Sequence, residues 1–600
     1  MGIVRTYFDR LQQSQTARLL IIGLAIGILS AYGAIAFRLW ISGTQFAAFG
    51  FSGEALGSYV TSLEPWRLYA ALMGGGLLVG LMLKYLPLND RPEGVADVID
   101  AANFKNGHMS LSRGLSAALV SATSLGVGAS AGREGPVVHL GATLAGAIAN
   151  RLNMPPQAAR TLLGCGIAAA VAASFNAPLA GAIFAHEIVL GHFALRSFGP
   201  IVIASVAGTV ICRLHIGAAP AFIIPDYAIA STFEYPAFAL LGLLCGILAA
   251  FFVRTSLRSA QLADRLPIPL IFRPVLGGAL VATLALAFPQ ILGVGYEATD
   301  MALKEELPLL LLISLIVAKL AATAITLAAR FGGGVFSPGL YLGAMAGGAF
   351  GICAVWLVPA IGQTHGLYTL AGMGAVAAAV LGAPLSTILI VFELTGDYQL
   401  TTAVMVAVVV SSITAQGLAV PGYFTKQLEN RGRALSGGFG RARARLEQIG
   451  SILDPTPITI RDDLAGDALI AALREPTHNV ETPPFVVVDS VGRPLGLILE
   501  ADILRALFTP DHTASAHDIV HPIDAVPLVD TVEHAIAVMK TAHLPALPVI
   551  DMDGKLVGIV RESAALAHYA AALEAAESEA AGDKTQPPLP PSPTRSNPSK

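Results

Sequence analysis

The sequence predicts an all-α polytopic membrane domain followed by a smaller α/β soluble part. Three observations lead there. Only 13% of the 600 residues are charged and 54% are hydrophobic, against roughly 25% charged in ordinary soluble domains. The shortfall is uneven, since apolar segments follow one another up to about residue 420 and the charge density beyond is that of a soluble chain. Each part also repeats itself internally. A net charge of −4 provides no electrostatic footprint for nucleic acid or another polyanion.

The first apolar segment, 19–37, follows Arg5, Arg10 and Arg18. It is long for a signal peptide and lacks a small-residue cleavage site, so it reads as a first membrane helix with residues 1–17 on the cytoplasmic side. Clear apolar segments recur at 67–87, 199–211, 236–253, 274–293, 308–328 and 402–420. Between them lie shorter ones, cut by Gly and Pro, at 114–128, 136–149, 161–175, 178–192, 340–358, 367–381 and 384–394. A full span takes about 20 apolar residues. The short segments are therefore expected to be broken or half-spanning helices, which are tolerated only inside protein or beside a watery cavity. Cys165, Cys212, Cys245 and Cys353 sit in apolar segments without CxxC spacing and read as packed thiols, so no metal site is expected.

Two pairs of motifs show a duplication. GREGPVVHLGA at 132–142 matches GGVFSPGLYLGA at 333–344, with Pro136 on Pro338 at a separation of 202. NAPLAGAIFAHEI at 176–188 matches GAPLSTILIVFEL at 382–394, with Glu187 on Glu393 at 206. The membrane part, 18–430, thus holds two halves near 18–213 and 236–420. Broken segments in matching positions point to a binding site where the halves meet.

The richest stretch is VGASAGREGPVVHLG at 127–141. Arg133 and Glu134 stand between glycines in an apolar region, where each charge costs roughly 2.5–3.5 kcal/mol on insertion scales and usually lines a pathway. Pro136 suits the first position of a helix whose free N–H groups point back at Gly132–Gly135. A Gly-rich turn entering a helix N-terminus is a candidate anion site.

After Val420 come Lys426, Arg431, Arg433, Arg441, Arg443 and Arg445, a basic linker (431–449) that places the C-terminal part in the cytoplasm. Residues 485–504 and 547–566 repeat at a separation of 62, each a strand, an Asp-x-x-Gly turn, a strand and a helix, with Asp489/Asp551 and Gly492/Gly554 coinciding. Helices are expected near 465–474 and 532–542. The end, 573–600, is acidic and then Pro/Ser-rich and reads as a disordered tail.

GREGP, the G-x-F-x-P of Gly334–Pro338, and Asn-Ala-Pro-Leu at 176–179 together resemble the chloride channel (CLC) family of anion channels and proton-coupled exchangers. The 450–508 and 515–572 units resemble tandem CBS domains. The resemblance implies two inverted repeats of broken, tilted helices, a homodimer in the lipid bilayer of the cell membrane, and cytoplasmic CBS domains. It implies an anion held by backbone around Gly132, Arg133, Gly135, Val335 and Phe336, and a gating carboxylate at Glu134 that leaves when protonated. A helix N-terminus attracts an anion without a buried counter-cation. Arg133 is expected to buttress the loop or supply positive potential; a salt bridge to Glu134 is the bland alternative.

This chain departs from the family pattern at three places. The internal proton glutamate of the exchangers falls on Ile188, which cannot ionise, with Glu187 adjacent. Glu187 and its mate Glu393 are expected to cap or pair at helix ends, and the adjacent His186 to be structural. Glu93 stands where the family has a serine hydroxyl; it is either a second titratable gate or a residue facing the cytosol. Phe424 falls on the central tyrosine, with Tyr423 beside it. The expected function is therefore transport of chloride or a similar small anion, channel-like, with a proton-coupled chloride or nitrate antiporter as the alternative. Asp502 leaves one adenosine-nucleotide position in the first CBS unit, Ala564 removing the second; otherwise no cofactor is expected. An enzyme is disfavoured because HExxH and P-loop motifs are missing. A metal transporter would need clustered membrane carboxylates.

Overall fold

The computed structural model describes residues 15–217, 222, 224, 225, 227, 229, 234–358, 365–433, 447–474, 484–499, 501–504 and 515–581. The expected N-terminal segment, most of the basic linker and the end of the tail fall outside these residues. The chain divides into two units, 1–434 and 435–600.

Among the described residues, the regular elements of the membrane unit are all helices. Among the described residues, eight helices are long and apolar enough to cross a membrane: Ala17–Phe49, Pro65–Tyr85, Pro156–Phe175, Leu195–Ile216, Glu234–Asp264, Leu309–Ala328, Phe336–Leu357 and Tyr398–Gly417. Pro178–Leu190, Phe272–Ala287, Gly366–Leu381 and Pro384–Thr395 are shorter apolar helices.

Several lengths differ from expectation, the first helix among them, which runs on to Phe49. The 161–175 segment belongs to a 20-residue helix from Pro156, because Gln157 and Arg160 in its first turns masked its extent. The 340–358 segment starts at Phe336 and runs 22 residues. Pro338 does not break it, since a proline in the first turn gives up an N–H that has no helical partner. For the same reason the helix after the GREGP turn begins at Glu134, two residues before Pro136. Conversely, the 274–293 segment is helical only to Ala287, where Phe288-Pro289 ends it.

The duplication is visible as reciprocal contacts between equivalent residues. Gly132 and Gly334 pair as an antiparallel bridge, each N–H donating to the other's carbonyl at 2.8 and 2.7 Å. Glu187 accepts from the N–H groups of Leu385 (2.9 Å) and Ser386 (2.8 Å), while Glu393 accepts from those of Leu179 (2.9 Å) and Ala180 (2.8 Å). Each carboxylate thus closes the first turn of the other half's helix. Gly141 and Gly166 cross so closely that a Cβ on either would lie 2.4 or 2.2 Å from the other's carbonyl oxygen, and Gly343 and Gly372 repeat that crossing at 2.2 and 2.4 Å. Such contacts between equivalent positions are what a twofold exchange of the halves requires.

In the soluble unit, Gly466–Arg474 and Val532–Ala542 are the expected helices. Thr459–Arg461, Phe485–Val488, Pro494–Ile498 and His521–Pro522 form one sheet in that order; Val526–Pro527, Ala546–Ile550 and Leu556–Arg561 form the other. The Asp-x-x-Gly turns are closed alike. Asp489 Oδ1 accepts from the N–H groups of Val491 and Arg493, and Asp551 Oδ1 from those of Asp553 and Lys555, at 2.8–2.9 Å. The Arg493 N–H foremost holds the Asp489 carboxyl below its ordinary range. The last helix, Glu562–Ala581, runs past the expected tail boundary at 573, because alanines and glutamates from Ala570 onward favour helix.

Candidate functional site

Two glycine turns meet at the centre of the membrane unit. Glycine is required there by close approach: a Cβ on Gly135 would lie 3.2 Å from the Gly334 Cα, and one on Gly334 3.1 Å from the Gly135 nitrogen. From this waist the Glu134–Arg151 and Phe336–Leu357 helices depart. Their N-cap residues, Arg133 and Val335, make no side-chain cap bond. First-turn N–H groups without a capping side chain favour an anion, by hydrogen bonding and by the helix dipole. Phe336 packs its ring on Phe175 at 4.9 Å.

The Glu134 carboxylate lies at this waist, 1% exposed. The Tyr296 hydroxyl donates to Oε1 at 2.7 Å, and the Ser337 hydroxyl donates to Oε2. A Cβ on Gly132 would come within 3.0 Å of Oε2 and 3.1 Å of the Ser337 nitrogen. The carboxylate therefore occupies the start of the Phe336–Leu357 helix, the place where that helix best receives negative charge.

Arg133 turns elsewhere. Its Nη1 is 2.8 Å from Glu54 Oε1, its guanidinium lies 4.6 Å over the Tyr296 ring, and only Nε approaches Glu134, at 4.0 Å. Tyr296 thus contacts both the arginine and the carboxylate.

Cavities lie on both sides. One of about 530 Å³ is lined by Arg38, Glu54, Arg133, Phe175 and Tyr296 among others. The other, about 110 Å³, is lined by Glu93, Gly135, Gly334, Val335, Tyr423 and Phe424 among others. All three inner-site candidates therefore border one cavity. Tyr423 and Phe424 meet edge to face at 5.9 Å. Glu93 does not simply face the cytosol: its side chain is 19% exposed, with Oε2 3.4 Å from Nε2 of buried His139 and Oε1 3.7 Å from Arg113 Nη1. His139 is on the same helix as Glu134.

Ile188 is buried in a π-helical turn, Ala185–Leu190, and adjacent Glu187 is the cap described above. His186 of this turn is buried, with Nδ1 2.8 Å from the His192 carbonyl oxygen. In the soluble unit, Asp502 is buried; its Oδ2 accepts from the Leu499 N–H at 3.3 Å and is 2.9 Å from His521 Nε2.

Sequence reasoning missed Tyr296, Ser337, Glu54, His139 and Lys319. Lys319 carried a usable signal, being a lone charge inside the apolar 308–328 segment. Tyr296 carried none, because its partner is 162 residues away.

Helix starts facing each other across a glycine waist, with a buried carboxylate between two cavities, define a membrane protein built around an anion pathway. Residues 75–416 match the voltage gated chloride channel family and residues 516–571 the CBS domain. The chain belongs to the voltage-gated chloride channel family. It is 31% identical over 407 residues to a putative chloride channel protein ClcB-like from Ralstonia nicotianae, covering 67% of this chain and 95% of that one. The fold is similar to a slow cyanobacterial Cl−/H+ antiporter, with a TM-score of 0.61, 23% identity and coverage of 69% of this chain and 98% of that one. It is also similar to a eukaryotic CLC transporter, with a TM-score of 0.59, 19% identity and coverage of 91% and 97%.

Proposed function

We propose that the protein carries chloride or a similar small anion across a membrane through a pathway that Glu134 blocks and opens. The observation that carries this is the Glu134 carboxylate lying at the start of the Phe336–Leu357 helix, between two cavities. A carboxylate there competes with a permeating anion for the same donors. An anion displaces it, or a proton neutralises it, and the pathway opens. Backbone near Gly132, Gly135, Val335 and Phe336 then replaces part of the water around the anion; partial charges hold it weakly enough for release. Transport is channel-like, because Ile188 offers no proton at the internal position. The protein works as a homodimer in the cell membrane with its CBS domains in the cytoplasm. Those domains serve regulation or dimerisation, with an adenosine nucleotide at Asp502 if the carboxylate leaves His521.

One observation favours a second reading, proton-coupled exchange: the pairing of half-buried Glu93 with buried His139 places two titratable groups beside the inner cavity. Chloride, nitrate and proton fluxes from purified protein in liposomes test both readings, with Glu134→Ala alongside. Conduction that persists in Glu134→Ala without pH gating is expected. Unaltered, still pH-gated flux in that variant would remove Glu134 from the role. Stoichiometric proton uptake driven by a chloride gradient would replace the channel by the exchanger.

A further inference from the structure

Lys319 is 0% exposed in the Leu309–Ala328 helix. Among the described residues no carboxylate pairs with it. Its Nζ instead donates to the carbonyl oxygens of Ile291 (2.9 Å), Gly293 (3.0 Å) and Val294 (3.5 Å) and lies 5.0 Å over the Tyr341 ring. An ammonium at this depth is costly, and an apolar side chain would fill the space without that cost. What the charge supplies is a fixed position for three carbonyls of one turn.

That turn leads to the gate. Gly295 follows with φ of 90°, and the Tyr296–Leu303 helix begins at the next residue. The left-handed conformation favours glycine; a Cβ there would also lie 2.7 Å from the Tyr341 ring and 3.2 Å from Lys319 Nζ. On its other side the turn is bonded to the loop that carries Glu134. The Ser130 hydroxyl donates to the Ile291 carbonyl at 2.7 Å, and the Gly293 N–H to the Gly128 carbonyl at 3.1 Å. The Tyr296 ring is held between the Arg133 guanidinium at 4.6 Å and Phe222 at 4.8 Å. Its hydroxyl is thereby fixed at 2.7 Å from Glu134.

We propose that Tyr296 is a latch on the Glu134 gate and that Lys319 is the positioning residue that sets it. Lys319 fixes the 291–295 turn, the turn aims the Tyr296 hydroxyl, and the hydroxyl holds the carboxylate in its blocking position. The latch lowers the rate at which an entering anion displaces Glu134. It rests on Glu134 being the gate, and the test separates the two.

Chloride efflux from liposomes at neutral pH is measured for the parent, Tyr296→Phe, Lys319→Met, Glu134→Ala, and each of the first two variants combined with Glu134→Ala. Tyr296→Phe keeps the ring and its packing and loses only the hydroxyl. Its efflux rises by roughly tenfold, the scale of one hydrogen bond to a charged group. Lys319→Met raises efflux in the same direction by less. In the Glu134→Ala background both ratios fall to one, because no carboxylate remains to be held. A rise of equal size in both backgrounds, or no rise from Tyr296→Phe, overturns the latch. If Lys319→Met does not yield folded protein, Lys319→Gln, whose chain is one bond shorter and whose two N–H donors cannot replace the three carbonyl contacts, decides its part: efflux equal to the parent's, with Tyr296→Phe raised, removes Lys319 from the latch. Should Glu134→Ala itself leave flux and gating unchanged, the gate assignment fails, independently of what Tyr296→Phe does in the parent.

Discussion

Replacing Glu393 by alanine tests whether the paired carboxylates Glu187 and Glu393 hold the fold or move ions. Glu393 receives the N–H groups of Leu179 and Ala180, at 2.9 and 2.8 Å, at the first turn of the Pro178–Phe184 helix. Its removal leaves two first-turn backbone donors, that of buried Ala180 among them, without this acceptor. A buried unsatisfied donor costs about 1–3 kcal/mol, so Glu393→Ala should destabilise the membrane unit by about 2–4 kcal/mol. Glu393→Gln keeps one acceptor oxygen and should cost about half of that. The mate, Glu187→Ala, should cost more, because the Ser386 hydroxyl also donates to Glu187. Thermal unfolding in detergent, followed by tryptophan fluorescence and by retention of a single size-exclusion peak at the parent's position, ranks the three variants. The expected order from least to most damaging is Glu393→Gln, Glu393→Ala, Glu187→Ala. A Glu393→Ala protein that melts like the parent but transports more slowly would refute the capping argument and assign the carboxylate to the pathway.

Other outcomes are expected at the waist and outside it. Gly334→Ala should abolish flux while leaving assembly intact, since its Cβ would press on the Gly135 nitrogen at 3.1 Å; normal flux would show that the loops separate freely. Glu93→Ser frees His139 and Arg113 beside the inner cavity; unchanged flux and pH dependence would eliminate Glu93 as a second gate. In the soluble unit, burial pushes the Asp454 carboxyl up, but the Thr456 N–H and hydroxyl and Arg561 outweigh it and hold the carboxyl below its ordinary range. A lowered folded value stabilises above the unfolded aspartate range near 3.9 and loses that contribution as pH falls through the folded value. Asp454→Asn in the full chain should therefore raise protease susceptibility of the soluble unit at neutral pH, with the difference vanishing in strong acid; equal susceptibility at neutral pH would discount the pairing.

Much of this architecture was legible because the chain contains itself twice. The separation of 202 placed Gly132 on Gly334, and these are the residues that bond to each other. The separation of 206 placed Glu187 on Glu393, which cap each other's helices. Glu134 was legible as a charge among glycines in an apolar region. What stayed hidden were contacts between unlike parts. Nothing local marks Tyr296 as the partner of Glu134, and Glu93 looked exposed because its neighbours His139 and Arg113 lie on other helices. Helix lengths were misjudged where polar residues or a first-turn proline interrupted the apolar pattern, a failure of hydropathy at helix ends that hid the spanning length of Pro156–Phe175 and Phe336–Leu357 and overstated that of Phe272–Ala287.

The Gly132–Gly334 bridge has a directional consequence. Glu134 and Phe336 are the equivalent first residues of the two helices that leave it. Were both glutamate, an ion arriving from either side would meet the same obstacle. With a phenyl ring at one and a carboxylate at the other, only one of the two helix starts carries a group that a proton can discharge. Under the proposed gating, acidity on the Tyr296 side and acidity on the Tyr423 side should then act unequally, making the conductance a rectifier in pH.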